Sequence, residues 1–127
     1  MMLEKEIYPQ VVSYLKNKGF NCYKEVKFLT RQIDLVGVKG KKVVAIEVKV
    51  KNWERAFQQA LTCRLCAHEV YVALWYKFAQ RLPLNLFEEY GIGLMSVDGT
   101  INIIKKAKKS QIIHKSLLSN LLNELKS

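Results

Sequence analysis

The sequence predicts an α/β domain, a mixed central β-sheet flanked by helices, and three observations carry that expectation. Helical and strand periods of hydrophobicity succeed one another in the order α-β-β-β-α-β. Half of the residues are hydrophobic and a quarter are charged, which excludes a disordered or collagen-like chain. At 127 residues the chain holds enough material for one domain with a real core and too little for two ordinary ones.

Leu3 to Lys18 predicts the first helix, because Leu3, Ile7, Val11, Tyr14 and Leu15 recur at helical spacing and Gly19 stands as a stop. Pro9 removes one donor and crowds the carbonyl four residues earlier, so a kink or a later start is expected there. Phe20 to Phe28 reads as a strand, with Val26 and Phe28 in alternation. Ile33 to Val38 and Lys42 to Val50 form a hairpin around Gly40. Trp53 to about Cys66 returns to a helical pattern through Trp53, Ala56, Phe57, Ala60 and Leu61, and His68 to Trp75 alternates again as a strand. Leu84 to Tyr90 follows Pro83 as a short helix ended by Gly91. Ile92 to Val97 and Thr100 to Ile104 flank the Asp98-Gly99 turn of a second hairpin. Residues 1–104 thus make the main domain. Residues 105–127 add a basic linker, Lys105 to Lys109, and an amphipathic helix over Gln111 to Leu125. The stripe Ile113, Leu117, Leu121 and Leu125 either caps the same domain or forms a dimer interface.

Charge breaks the apolar pattern in one place. Asp34 lies on one short Val- and Ile-rich strand, and Glu47 and Lys49 lie on the next. Moving an unpaired ion out of water costs several kcal/mol, so something must compensate these groups. With Gly40 and Lys41 as the two turn residues, cross-strand partners have numbers summing to 81, and Asp34 falls opposite Glu47. Opposed residues have Cβ atoms about 4.5–5.5 Å apart, and two carboxylates at that spacing can share a hard divalent cation at about 2.0–2.6 Å per oxygen. Strand alternation puts Lys49 on the face of Glu47. A water on such a cation, next to a lysine, is a hydrolytic arrangement. A register slip of one residue would separate the acids onto opposite faces.

Ile33-Asp34, a hairpin, then Ile46-Glu47-Val48-Lys49 resembles the bipartite signature of the PD-(D/E)xK nuclease superfamily, which includes restriction endonucleases, archaeal Holliday-junction resolvases and RecB-type nucleases. The resemblance covers roughly residues 3 to 97, with Ile33 in place of the usual proline. It implies a restriction-endonuclease-like core and a Mg²⁺- or Mn²⁺-dependent nuclease acting on DNA, with endonucleolytic and structure-selective or weakly specific cutting. It also implies Asp34 and Glu47 as metal ligands, Lys49 as the residue assisting the attacking water, a further acid on the first helix, and a glutamine on the helix after the strand of Glu47. At about 100° per residue Glu4 falls within the stripe of Ile7, Val11 and Leu15 while Glu6 lies opposite, which favours Glu4 as catalytic acid and ligand. Gln58 and Gln59 are the glutamine candidates, and Gln59-Ala60 fits the relatives' pattern better. Glu25 is a weaker acidic candidate.

The net charge of +10 and pI near 9.6 suit a polyanionic partner. Lys24, Lys27, Arg31, Lys51 and Arg55 are the expected phosphate contacts. Cys63-Arg64-Leu65-Cys66 has CxxC spacing with His68 nearby, yet no second pair completes a zinc site, so the cysteines read as buried small residues. No apolar run reaches the roughly 18 residues of a membrane span, and the acidic N-terminus lacks a signal-peptide pattern, so an intracellular location is expected. Two rival expectations are a non-catalytic nucleic-acid-binding module on the same fold and an interaction protein using the C-terminal leucine stripe. A homodimer would be needed to present two sites to branched DNA.

Overall fold

Five helices and six strands are seen in the computed structural model, which describes residues 2–126. In chain order they are α1 (Glu4–Asn17), β1 (Asn21–Phe28), β2 (Arg31–Lys39), β3 (Lys42–Lys49), α2 (Trp53–Cys63), β4 (Glu69–Trp75), α3 (Tyr76–Ala79), α4 (Leu84–Tyr90), β5 (Gly93–Asp98), β6 (Thr100–Lys105) and α5 (Lys115–Glu124). The strands form one sheet in sequence order. The β1–β2, β2–β3 and β5–β6 pairs are antiparallel, and the β3–β4 and β4–β5 pairs are parallel. The mixed α/β architecture follows from the alternating periods, since each parallel pair needs a helical crossover.

Both faces of the sheet are covered. On one, Ile7, Val11 and Leu15 of α1 pack on Leu35, Val44, Ile46 and Val48. On the other, Ala56, Phe57, Ala60 and Cys63 of α2 join Phe87 of α4 and Leu121 of α5 against Ile33, Val36, Ala45 and Val72. The leucine stripe is therefore used within the domain: Leu121 is buried, and Leu117 and Leu125 pack beside it. Helix α1 runs through Pro9 unbroken. Both Pro9 and Lys5 are exposed, so the carbonyl left without a donor faces water.

Three departures from the sequence pattern have local causes. Helix α5 begins at Lys115 rather than Gln111, because the preceding backbone is tied to the connection between α2 and β4: Ser110 N–H donates to His68 O at 2.8 Å and His114 N–H to Leu65 O at 2.9 Å. Helix α2 ends at Cys63, and Arg64 to Cys66 form a tight turn after it. The single turn α3 was not expected, since Trp75-Tyr76-Lys77-Phe78 is rich in strand-forming aromatics. Among the described residues no helix is long and apolar enough to cross a membrane.

Candidate metal and catalytic site

The β2–β3 ladder keeps the register of a Gly40-Lys41 turn, from Lys39–Lys42 to Leu35–Ile46, and Gly40 takes the left-handed conformation at φ 60°. Pairing then stops. Val48 N–H donates at 2.7 Å to Asp34 Oδ2, so a carboxylate takes the place of a strand partner. The neighbouring β1–β2 ladder is interrupted at the same level, between Lys24–Leu35 and Val26–Ile33, where Glu25 is left-handed at φ 51°. Ile33 and Val36 accordingly share one core layer, as do Tyr23 and Val26, although strict alternation would separate them. Asp34 and Glu47 meet across this fork. They are not a pair on a flat sheet face, which corrects the geometry read from the register.

Glu47 is 1% exposed. Its burial pushes the carboxyl pKa up to about 8; the negative charge of Asp34 adds to the rise, and the Arg31 guanidinium and the Cys63 thiol oppose it. Arg31 Nη2 donates to Glu47 Oε2 at 2.6 Å, and Cys63 Sγ lies 3.5 Å from the same oxygen. Burial, then Glu47, holds the Cys63 pKa well above its ordinary value, so the thiol stays protonated and donates. Cys66 donates to Cys63 O, and all three cysteines are free. Those at 63 and 66 are buried.

Lys49 Nζ reaches Glu4 Oε1 on α1 at 3.7 Å. Glu4 thus stands at the rim beside Lys49. Among the described residues no group of three or more His, Cys, Asp or Glu side chains is gathered to hold a metal. Gln59 is half-buried on α2, one turn before Cys63, whereas Gln58 is exposed. Helical spacing therefore aims Gln59, rather than its neighbour, along the face that approaches Glu47. Glu25 is exposed.

Of the expected phosphate contacts, Lys24, Lys27, Lys51 and Arg55 are exposed, and Arg31 is half-buried in its pair with Glu47. Part of the basic segment near the C-terminus is already neutralised, because Lys105 and Lys108 both pair with Glu88. Those two amines hold the Glu88 pKa down at about 2.

Tyr8 escaped the sequence reading. Its pKa is raised by burial and by the charge of Asp34, with Lys24 Nζ 5.3 Å from its ring. The signal was available, since Tyr8 lies one helical turn after Glu4 on the same side of α1.

Asp34 and Glu47 present hard oxygen donors, and Glu47 already accommodates one cationic group, the Arg31 guanidinium. The donor set fits a divalent cation completed by water and phosphate oxygens. Two carboxylates this close repel, and a bound cation would let both ionise.

No family model matches the chain, and no curated protein matches it. Among solved structures it is similar to the SPO1766 protein of unknown function from Silicibacter pomeroyi, with a TM-score of 0.72 and 18% identity over 98% of this chain and 84% of that one. At this identity the likeness concerns the fold.

Proposed function

We propose that this protein is a divalent-metal-dependent nuclease with a restriction-endonuclease-like core, hydrolysing phosphodiester bonds in DNA. The observation that carries the reading is the fork at which Asp34 replaces a strand partner beside the buried Glu47, with Lys49 two residues further along β3. A core strand gains no stability from three charged groups at an interrupted ladder; a reaction gains a fixed metal and water site.

Asp34 and Glu47 would hold Mg²⁺ or Mn²⁺, which when bound acidifies the attacking water and polarises the phosphoryl group. Asp34 is fixed by the Val48 N–H and flanked by Tyr8. Lys49 orients the water and stabilises developing negative charge, while Glu4 holds the ammonium in place. Gln59 lies on the α2 side of the site as a further polar contact. Exposed Lys24, Lys27, Lys51 and Arg55 take phosphates along the backbone, which positions the duplex without reading bases. That contact pattern supports structure-selective or weakly specific endonucleolytic cutting, with paired cuts in branched DNA requiring a homodimer.

The Arg31–Glu47 pair favours a second reading, a nucleic-acid-binding module without catalysis, because it offsets the Glu47 charge with no metal. Incubating labelled single-stranded, duplex and branched DNA with Mg²⁺, Mn²⁺ or EDTA separates the two. The nuclease reading expects products with either metal and none with EDTA; retention of every substrate intact, with binding preserved, supports the binding module.

A further inference from the structure

Arg31 uses only part of its hydrogen-bonding capacity. Nη2 donates to Glu47 Oε2 at 2.6 Å and Nη1 to Gln32 O at 2.9 Å, while Nε is buried with no partner among the described residues. The Arg31 side chain is 23% exposed and that of Glu47 is 1% exposed, so within the pair it is Arg31 that reaches solvent. Arg31 is the first residue of β2, next to the turn that follows β1, and exposed Lys27 pairs with Gln32 beside it.

Two cations compete for the same oxygens. A divalent ion on Glu47 would lie within a few ångströms of the guanidinium, and like charges at that range repel strongly away from bulk water. The planar guanidinium is well matched to a phosphate, which offers two oxygens to adjacent N–H groups and an acceptor for the unpartnered Nε.

We propose that Arg31 is an exchange residue: it holds Glu47 in the free protein and passes to a backbone phosphate of the nucleic acid as the divalent cation takes its place. This rests on the nuclease reading above and deepens it, since it makes uptake of metal and substrate mutually dependent. The free protein binds metal weakly, nucleic acid raises the metal affinity, and by linkage the metal raises the affinity for nucleic acid by the same factor. The exchange keeps a metal-activated water from forming before a phosphodiester is in place. Arg31 is a positioning residue in this scheme, acting on the reaction through Glu47.

The test is equilibrium binding of Mn²⁺, without nucleic acid, to the wild type, Arg31→Gln and Glu47→Gln, read from the electron paramagnetic resonance signal of free Mn²⁺. Circular dichroism checks that each variant is folded. Arg31→Gln is expected to bind Mn²⁺ about tenfold more tightly than the wild type, and Glu47→Gln to bind it least. Equal or weaker binding by Arg31→Gln, with Glu47-dependent binding intact in the wild type, overturns the exchange and leaves the metal-site reading standing. Mn²⁺ binding that is indifferent to Glu47 in every protein overturns both.

A second measurement needs no variant. Fluorescence anisotropy of a labelled duplex, with Ca²⁺ as a metal that is not expected to support cleavage, should show wild-type affinity rising about tenfold with the metal. No rise overturns the coupling. If Arg31→Gln folds, its rise should be smaller.

Discussion

At its turn end the β2–β3 hairpin is closed: Lys39 pairs with Lys42, Val38 with Val43 and Gly37 with Val44 around the left-handed Gly40. At its other end pairing stops after Leu35–Ile46, and the next Val48 N–H goes to a side chain. The closed end has apolar Val43, Val44 and Ala45 buried against both core layers. The open end has a buried carboxylate with a raised pKa, an arginine across it and a lysine leading to α1. The difference shows how one hairpin divides two tasks. Backbone hydrogen bonds and apolar burial fix the register at the turn, and the charged groups are placed just beyond the last ladder pair, Leu35–Ile46.

That contrast can be broken from either end. The largest effect is expected from Asp34→Asn. The amide oxygen still accepts from Val48 N–H, so the fold should persist, while Mg²⁺-dependent cleavage falls on the order of a thousandfold. Initial cleavage rates beside a thermal melt check both halves of the expectation.

Next comes pH. Glu47 has a folded pKa of about 8 against an ordinary value of 4.5, so between those values the folded protein holds a proton that the unfolded chain releases. Stability of the metal-free protein therefore falls as pH rises through that window, by up to about 1.4 kcal/mol per pH unit. Urea titrations at several pH values should show the slope in the wild type and its loss in Glu47→Gln. Added Mg²⁺ should stabilise more at pH 8 than at pH 6, because it binds the ionised carboxylate.

At the closed end, Val43→Ala removes buried apolar volume from a residue that is 1% exposed and should cost about 2 kcal/mol in a denaturant titration. Cleavage per folded molecule should be unchanged. Smallest is Gly40→Ala. A Cβ there meets nothing within 4 Å, so only the left-handed backbone is penalised, by about 1 kcal/mol. A large loss of cleavage in either turn-end variant would show that the two ends are not separable.

The hairpin register was legible because Gly40 and the flanking apolar alternation leave one arrangement that buries both faces. Helix α1 was legible from Ile7, Val11 and Leu15, and α4 from Pro83 and Gly91. The fork was not, because it arises where alternation fails together on two strands, at Glu25 and Asp34, and neither strand records that locally. Arg31 read as a phosphate contact alone, since a sequence does not show that the first residue of β2 returns across Glu47, which lies 16 positions away. Cys63 read as a small buried residue, which it is; its approach to Glu47 depends on how α2 lies over the sheet. The start of α5 was misplaced because backbone bonds from Ser110 and His114 to the α2–β4 connection outweigh helical periodicity.

The most direct measurement compares the initial rate of Mg²⁺-started DNA hydrolysis per folded molecule in the wild type and in Glu47→Ala. A metal-dependent wild-type rate reduced to the no-enzyme background in the variant is the result expected of a metal site at the open end. Equal rates in the two proteins would contradict it.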